Sequence, residues 1–179
     1  NFFDKIINDV DSHTLVGIQN AKEYIGVGLN TKQVLKLYNK FKNFRAIKAE
    51  ASATIIETEI KKYPKNLKVY NGRGGQEIVD NFLAGCCGII PCLEGTDTYL
   101  KIYKLLQQEK IHEARQLYKK ILPSIVFSMQ SINSLVCYGK RICAYRMGMK
   151  KVYDRAPGLM PTDFGIQLAK YHAKTLGKF

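Results

Sequence analysis

Between residues 14 and 90, short apolar runs alternate with amphipathic helical stretches, and that alternation leaves few folds open to the chain. Thr14-Leu15-Val16-Gly17-Ile18 reads as a buried strand that delivers Gln19 and Asn20 to its carboxyl end. After a loop from Glu23 to Gly28, Thr31 stands where a helix cap is needed, ahead of an apolar stripe of Val34, Leu35 and Tyr38. Phe44 to Lys48 is a second strand, and Ser52 opens the helical run from Thr54 to Lys61, which stops before Pro64. Leu67-Lys68-Val69-Tyr70 leads into the glycine-rich loop Asn71-Gly72-Arg73-Gly74-Gly75 and a helix with Ile78, Val79, Phe82 and Leu83. Gly85 is placed to end that helix in the left-handed conformation, and Gly88-Ile89-Ile90 is a fourth strand. Such spacing indicates parallel βαβ units, in either an open doubly wound sheet or part of a (β/α)8 barrel. The strands are expected near residues 14–19, 44–48, 67–71 and 87–90.

From Thr96 onward the pattern is helical throughout. Leu100, Tyr103 and Leu106 make one stripe, Ala114, Leu117, Tyr118 and Ile121 a second, and Ile125, Met129, Ile132 and Val136 a third, after a bend expected at Pro123. Thr162 caps a last helix beyond the loop from Pro157 to Pro161. These stripes read as core packing and are assigned no chemistry. The division follows: residues 1–95 as the βα portion and 96–179 as the helical portion.

At 179 residues and 46% apolar content the chain can bury the core of one globular domain. It holds no apolar run long enough to cross a bilayer, and no basic, apolar leader at Phe2-Phe3-Asp4, so a soluble cytoplasmic protein without a membrane partner is expected. Five cysteines without paired C-x-x-C spacing and three scattered histidines point to free thiols, with no metal and no cofactor. The net charge of +13 is spread over many helices, as in Lys32, Lys36 and Lys40 or Lys101, Lys104 and Lys110. Without a basic arm or an RNA-binding signature it favours anionic small molecules over nucleic acid.

Lys48 carries the chemistry. At the inner end of an apolar strand a lysine is desolvated, which favours the neutral amine and lets it attack a carbonyl. The alternative is a snorkelling or paired lysine. Glu50, two residues on, falls on the same side of the strand, a candidate to orient water or to pair with a neighbour, and a structural salt bridge is its expected role.

The ordered set Ile18-Gln19-Asn20, Ile47-Lys48-Ala49-Glu50, Asn71-Gly72-Arg73-Gly74-Gly75 and Gly85-Cys86-Cys87-Gly88-Ile89-Ile90-Pro91 resembles the dihydrodipicolinate synthase and N-acetylneuraminate lyase superfamily. Met129-Gln130-Ser131, Tyr138-Gly139-Lys140-Arg141 and Asp154-Arg155-Ala156-Pro157 resemble a subgroup with a three-helix extension. The resemblance implies an α/β fold: the carboxyl-terminal half of a (β/α)8 TIM barrel, strands five to eight, followed by that extension. It implies a class I lyase whose strand-six lysine, matched by Lys48, forms a Schiff base with a 2-oxo acid such as pyruvate. Gln19 takes the other catalytic position, and Asn20, Gly72, Arg73 and Ile90 are the substrate-binding candidates. A homo-oligomer, dimer or tetramer, is also implied.

The chain departs from the family pattern in three places. Gln19 stands where a proton-relaying tyrosine ends the fifth strand in much of the family, and an amide is neither acid nor base near neutral pH. Tyr24 stands where the dihydrodipicolinate synthases proper have a carboxylate-holding arginine. That leaves an aldolase or dehydratase of a 2-keto-3-deoxy sugar acid as the favoured reading, with dihydrodipicolinate synthase itself, or a non-catalytic binding or assembly protein on the same scaffold, as alternatives. Finally, the match begins at the helix before strand five. The expectation is a carboxyl-terminal portion, inactive alone, whose open sheet edges pair with further sequence or with another copy. In the glycine loop, backbone amides and the Arg73 guanidinium are candidates to hold an anionic part of the substrate, with a plain tight turn as the alternative.

Overall fold

The structure, a computed structural model, describes residues 2–179. Four strands, β1 (Val16–Asn20), β2 (Phe44–Ala49), β3 (Lys68–Asn71) and β4 (Gly88–Ile89), form one parallel sheet in the order β1-β2-β3-β4. Helices α1 (Phe2–Asp9), α2 (Lys22–Ile25), α3 (Thr31–Lys40), α4 (Ala53–Ile60) and α5 (Ile78–Leu83) precede the strands or connect them. Spatial order follows chain order with no reversal, which is the winding of a barrel; a doubly wound sheet reverses at a switch point. The α/β fold is thus the carboxyl-terminal half of a (β/α)8 barrel with a helical extension.

The chain divides into two compact units: residues up to Arg73 with Asp80–Ile90, and Gly74–Val79 with Pro91–Phe179. In the first, Ile18, Ile47 and Val69 stand in one register row across β1, β2 and β3. They pack in the same cluster as Ile7 of α1, Val34 and Leu37 of α3 and Ile56 of α4. Each such buried side chain contributes roughly 1.5–3 kcal/mol, so slipping the register by one residue would forfeit the row. Residues of opposite parity, Gly17, Gln19, Ala46, Lys48, Tyr70 and Gly88, therefore share the other face. Space is tight there: a Cβ on Gly17 would lie 3.1 Å from that of Ala46, and one on Gly88 3.0 Å from the Tyr70 ring.

Several local expectations shift. Thr14 closes a turn, its amide donating to Asp11 O at 2.9 Å, Leu15 is exposed, and β1 starts at Val16. The loop after β1 contains the single turn α2. Asn30, one residue ahead of Thr31, caps α3: its side chain accepts from the Gln33 amide at 3.0 Å, while the Gln33 side chain accepts from the Asn30 amide at 2.9 Å. Asn30→Ala is expected to cost about 1 kcal/mol in chemical denaturation, and Thr31→Ala much less. Ser52 does occupy the cap position of α4, but its hydroxyl lies 3.2 Å from Thr54 Oγ1 and makes no side-chain cap to the backbone. Gly85 takes φ of 98°, as the end of α5 requires.

The second unit contains α6 (Thr96–Gln107), α7 (Ile111–Ser128), α8 (Ile132–Ser134), α9 (Lys140–Arg146) and α10 (Asp163–Leu176). In α6 the buried side chains are Tyr99 and Ile102, one step from the expected Leu100 and Tyr103 stripe, both of which are exposed. Helix α7 runs through Pro123 as one element, and the sharp bend, 105°, falls after Ser128. Thr162 caps α10, its hydroxyl accepting from the Gly165 amide at 3.0 Å. All five cysteines are free thiols, with Cys86, Cys92 and Cys137 buried. Burial, then the neighbouring Cys87, pushes the Cys86 thiol up to about 12. Among the described residues no single helix is long and apolar enough to cross a membrane.

Candidate active site

Parallel pairing of β1, β2 and β3 brings Gln19, Lys48 and Tyr70 into one register row near the carboxyl ends of the strands. Glu50 follows β2 directly, so its side chain points to the same face as Lys48. Its carboxylate is buried, with 5% exposure, and gathers three donors. Lys48 Nζ lies 2.9 Å from Oε1, Gln19 Nε2 donates to Oε1 at 3.3 Å, and the Arg73 backbone amide donates to Oε2 at 2.6 Å. The Lys48 side chain keeps 27% of its surface exposed. The lysine is therefore paired rather than bare, the alternative open at the sequence level, and its side chain is less deeply buried than the carboxylate it faces.

The glycine loop explains how a carboxylate comes so close to a backbone. A Cβ on Gly72 would lie 2.6 Å from Glu50 Cδ and overlap both carboxylate oxygens. Arg73 takes φ of 50°, unusual for a residue with a side chain, and in that conformation its amide donates to Glu50. Two of the loop amides expected to hold a substrate anion, those of Gly72 and Arg73, are thus already occupied. Gly72 donates to Ala49 O at 3.0 Å and to Asn71 Oδ1 at 2.9 Å, and the anion held by Arg73 N–H is the protein's own Glu50. Asn71, fully buried, anchors the turn by donating to Ala51 O and to Asn81 Oδ1, both at 2.7 Å.

Of the other candidates, the Arg73 guanidinium reaches toward α2: Nε stands 3.9 Å from Glu23 Oε2, and the group hydrogen-bonds to the Tyr24 phenol. Burial, then the Glu50 carboxylate, pushes the Tyr24 phenol up from its ordinary value, with Arg73 acting in the opposite direction. Asn20 commits its amide to Leu29, donating to the carbonyl at 2.9 Å and accepting from the amide at 2.8 Å, which ties the loop after α2 to the end of β1. Ile90 continues the ladder through its amide, 2.8 Å from Asn71 O, with its side chain exposed. A cleft of about 330 Å³ opens beside Glu50, lined also by Asn20, Leu29, Ile55 and Glu59. Among the described residues no three His, Cys, Asp or Glu side chains gather as a metal-binding group.

The part that sequence reading undervalued is Glu50 as the hub of the cluster. The Lys48-x-Glu50 spacing signals their shared face, but the Gln19 and Arg73 contacts depend on pairing across 31 and 23 residues.

No family model matches the sequence, and no curated protein matches it. Solved structures do. Dihydrodipicolinate synthase from Rhodopseudomonas palustris superposes with a TM-score of 0.82 at 17% identity, over 97% of this chain and 60% of that one. The 4-hydroxy-tetrahydrodipicolinate synthase of Methylacidiphilum fumariolicum gives 0.83 at 18%, over 97% and 57%. Sialic acid aldolase of Ruminococcus gnavus gives 0.79 at 19%, over 91% and 55%, and the same values of score and identity hold for its catalytic lysine mutant. This chain thus spans less than two thirds of the length of each. It has the fold of the dihydrodipicolinate synthase and sialic acid aldolase barrels, as four parallel strands of the barrel followed by the helical extension.

Proposed function

We propose that this chain belongs to the dihydrodipicolinate synthase and N-acetylneuraminate lyase superfamily and is the lysine-bearing portion of a Schiff-base lyase. Its substrate is a 2-oxo acid, with a 2-keto-3-deoxy sugar acid favoured, and its reaction is aldol cleavage or dehydration. The observation that carries this reading is Lys48, its side chain partly exposed at the carboxyl end of a parallel strand and its amine held by a buried carboxylate. In barrel enzymes that end of the strands is where catalytic groups stand. A sialic acid aldolase of the same fold has a catalytic lysine, which supports the assignment by analogy.

In this mechanism Lys48 Nζ adds to the keto carbon and water leaves. The resulting protonated imine draws electrons from the adjacent carbon, so a carbanion there is stabilised as an enamine while a carbon-carbon or carbon-oxygen bond breaks. Gln19 moves no proton and instead steadies Glu50. Arg73, at the rim, offers its guanidinium to the acid group of the substrate. The open edges at β1 and β4 are closed by further barrel strands, in a homo-oligomer. Five free thiols fit a reducing compartment, the cytoplasm.

The test is intact mass after incubation of the full-length protein with pyruvate and borohydride. One reduced pyruvate adduct per chain is expected, and none forms if the protein only binds or assembles. Arg73→Ala is expected to raise KM for the acidic substrate about ten- to a hundredfold, the weight of a charge-assisted hydrogen bond, with a smaller change in kcat. An unchanged KM removes the guanidinium from substrate binding.

A further inference from the structure

We propose that Glu50 is the proton-transfer group for imine formation at Lys48, taking the proton of the ammonium and returning it to the departing hydroxyl. The proposal rests on the reading of Lys48 as the imine-forming amine and adds to it the acid-base function that Gln19 lacks.

The geometry separates Glu50 from an ordinary surface ion pair. Surface pairs join two mobile side chains in water and are worth little. Glu50 is 5% exposed, and each oxygen has a fixed task. Oε2 is held by the Arg73 amide at 2.6 Å, while Oε1 faces Lys48 Nζ at 2.9 Å, within direct proton-transfer reach, with Gln19 Nε2 on the same oxygen at 3.3 Å. The fold pays for this placement twice: Gly72 gives up its side chain so that the carboxylate fits, and Arg73 adopts a left-handed backbone. Lys48 itself keeps 27% of its side chain exposed, against 5% for the carboxylate it faces.

The remaining groups around Glu50 fit the same assignment. Gln19 and the Arg73 amide only donate. The Tyr24 phenol, pushed up by burial and by the Glu50 carboxylate, keeps its proton at neutral pH and cannot act as the base. The Arg73 guanidinium is turned toward Tyr24 and Glu23. Glu50 is the carboxylate in contact with the amine.

The steps balance. Lys48 ammonium passes a proton to Glu50 Oε1, leaving a neutral amine beside a neutral carboxyl. The amine lone pair adds to the keto carbon, and the nitrogen proton moves to the carbonyl oxygen, giving a carbinolamine. Glu50 then returns its proton to the carbinolamine hydroxyl, the carbon-oxygen bond breaks, water leaves, and the nitrogen lone pair closes the protonated imine. Glu50 ends as the carboxylate it began as, and no oxidant or reductant is consumed.

The experiment follows the rate of Lys48 labelling in the full-length protein with saturating pyruvate and cyanoborohydride at neutral pH, in wild type and in Glu50→Gln. The amide keeps the shape and an acceptor for the Arg73 amide but cannot shuttle the proton. Labelling in the variant is expected to be about 10²- to 10⁴-fold slower while reaching the same final extent at Lys48. Equal rates overturn the role of Glu50 and leave Lys48 in place. No adduct at Lys48 in wild type overturns the underlying reading instead. If circular dichroism shows Glu50→Gln unfolded, Glu50→Asp decides: with its carboxylate drawn back from the amine by one methylene, the folded variant labels more slowly if Glu50 transfers the proton, and a wild-type rate overturns the role.

Discussion

Replacing Lys48 is expected to reduce pyruvate release from a 2-keto-3-deoxy sugar acid by about 10⁵-fold or more, the scale on which covalent enzymes fail when their nucleophile is removed. Two variants separate chemistry from folding. Lys48→Ala leaves the buried Glu50 carboxylate without its cation, so part of its loss would come from a disturbed site. Lys48→Arg keeps a cation against Glu50 but has a guanidinium that stays charged and forms no imine. Both are expected to lose turnover, and Lys48→Arg is expected to keep the wild-type denaturation midpoint more closely. A Lys48→Arg protein that still turns over would remove the mechanism and leave only the fold.

The largest effect on stability is expected in the second unit, at Arg146. Its guanidinium is buried and pairs with both oxygens of Asp97, at 2.9 and 3.0 Å. It also donates to the carbonyls of Glu94, Gly177 (2.7 Å) and Leu176 (3.4 Å), and lies 4.0 Å from the centre of the Phe179 ring. One side chain thus ties the start of α6 to the end of α10. Arg146→Met leaves those acceptors unpaired, at a cost of about 3–5 kcal/mol. For a chain of this size that lowers Tm by roughly 6–20 °C. The acid dependence carries a definite sign. The Arg146 hydrogen bonds hold the Asp97 carboxyl below its ordinary 3.8 despite opposing burial. Its stabilising contribution is therefore full above that value and is lost as pH falls through the lowered one. The difference in stability between wild type and Arg146→Met is expected to narrow over that acidic window. A constant difference would mean that the carbonyl contacts alone hold Arg146.

How far the sequence reveals this arrangement depends on the range of each interaction. The four strands and their connecting helices are legible because Ile18, Ile47 and Val69 need apolar partners at strand spacing, which Val34, Leu37 and Ile56 meet at helical spacing. The offset at β1 arises because only one face of that short strand is buried; its other face presents Gly17 and Gln19, so the apolar run beginning at Thr14 pulls the reading two residues early. The α3 cap is misread by one residue because Asn30 and Thr31 are both good caps, and only the reciprocal bonds with Gln33 decide between them. Pro123 lies inside a continuous helix, and the sharp bend comes only after Ser128.

Of the candidate site, the place of Lys48 near the end of its strand is legible in the sequence, and that of the carboxylate only partly. A two-residue spacing on a strand puts Lys48 and Glu50 on one face, and the pair is observed. Gly72 reads from sequence as a turn residue, whereas its structural requirement is the approach of Glu50 from β2. The Arg73 amide reads as a donor for substrate, whereas it is spent on Glu50. Both follow from a parallel register and a left-handed backbone at Arg73, which no local pattern encodes.

Mapping the reduced adduct tests the central claim most directly. The full-length protein is incubated with pyruvate and borohydride and digested, and the modified peptide is sequenced by mass spectrometry. The account expects a single reduced pyruvate adduct, on Lys48. An adduct on any other lysine, or none, would contradict it.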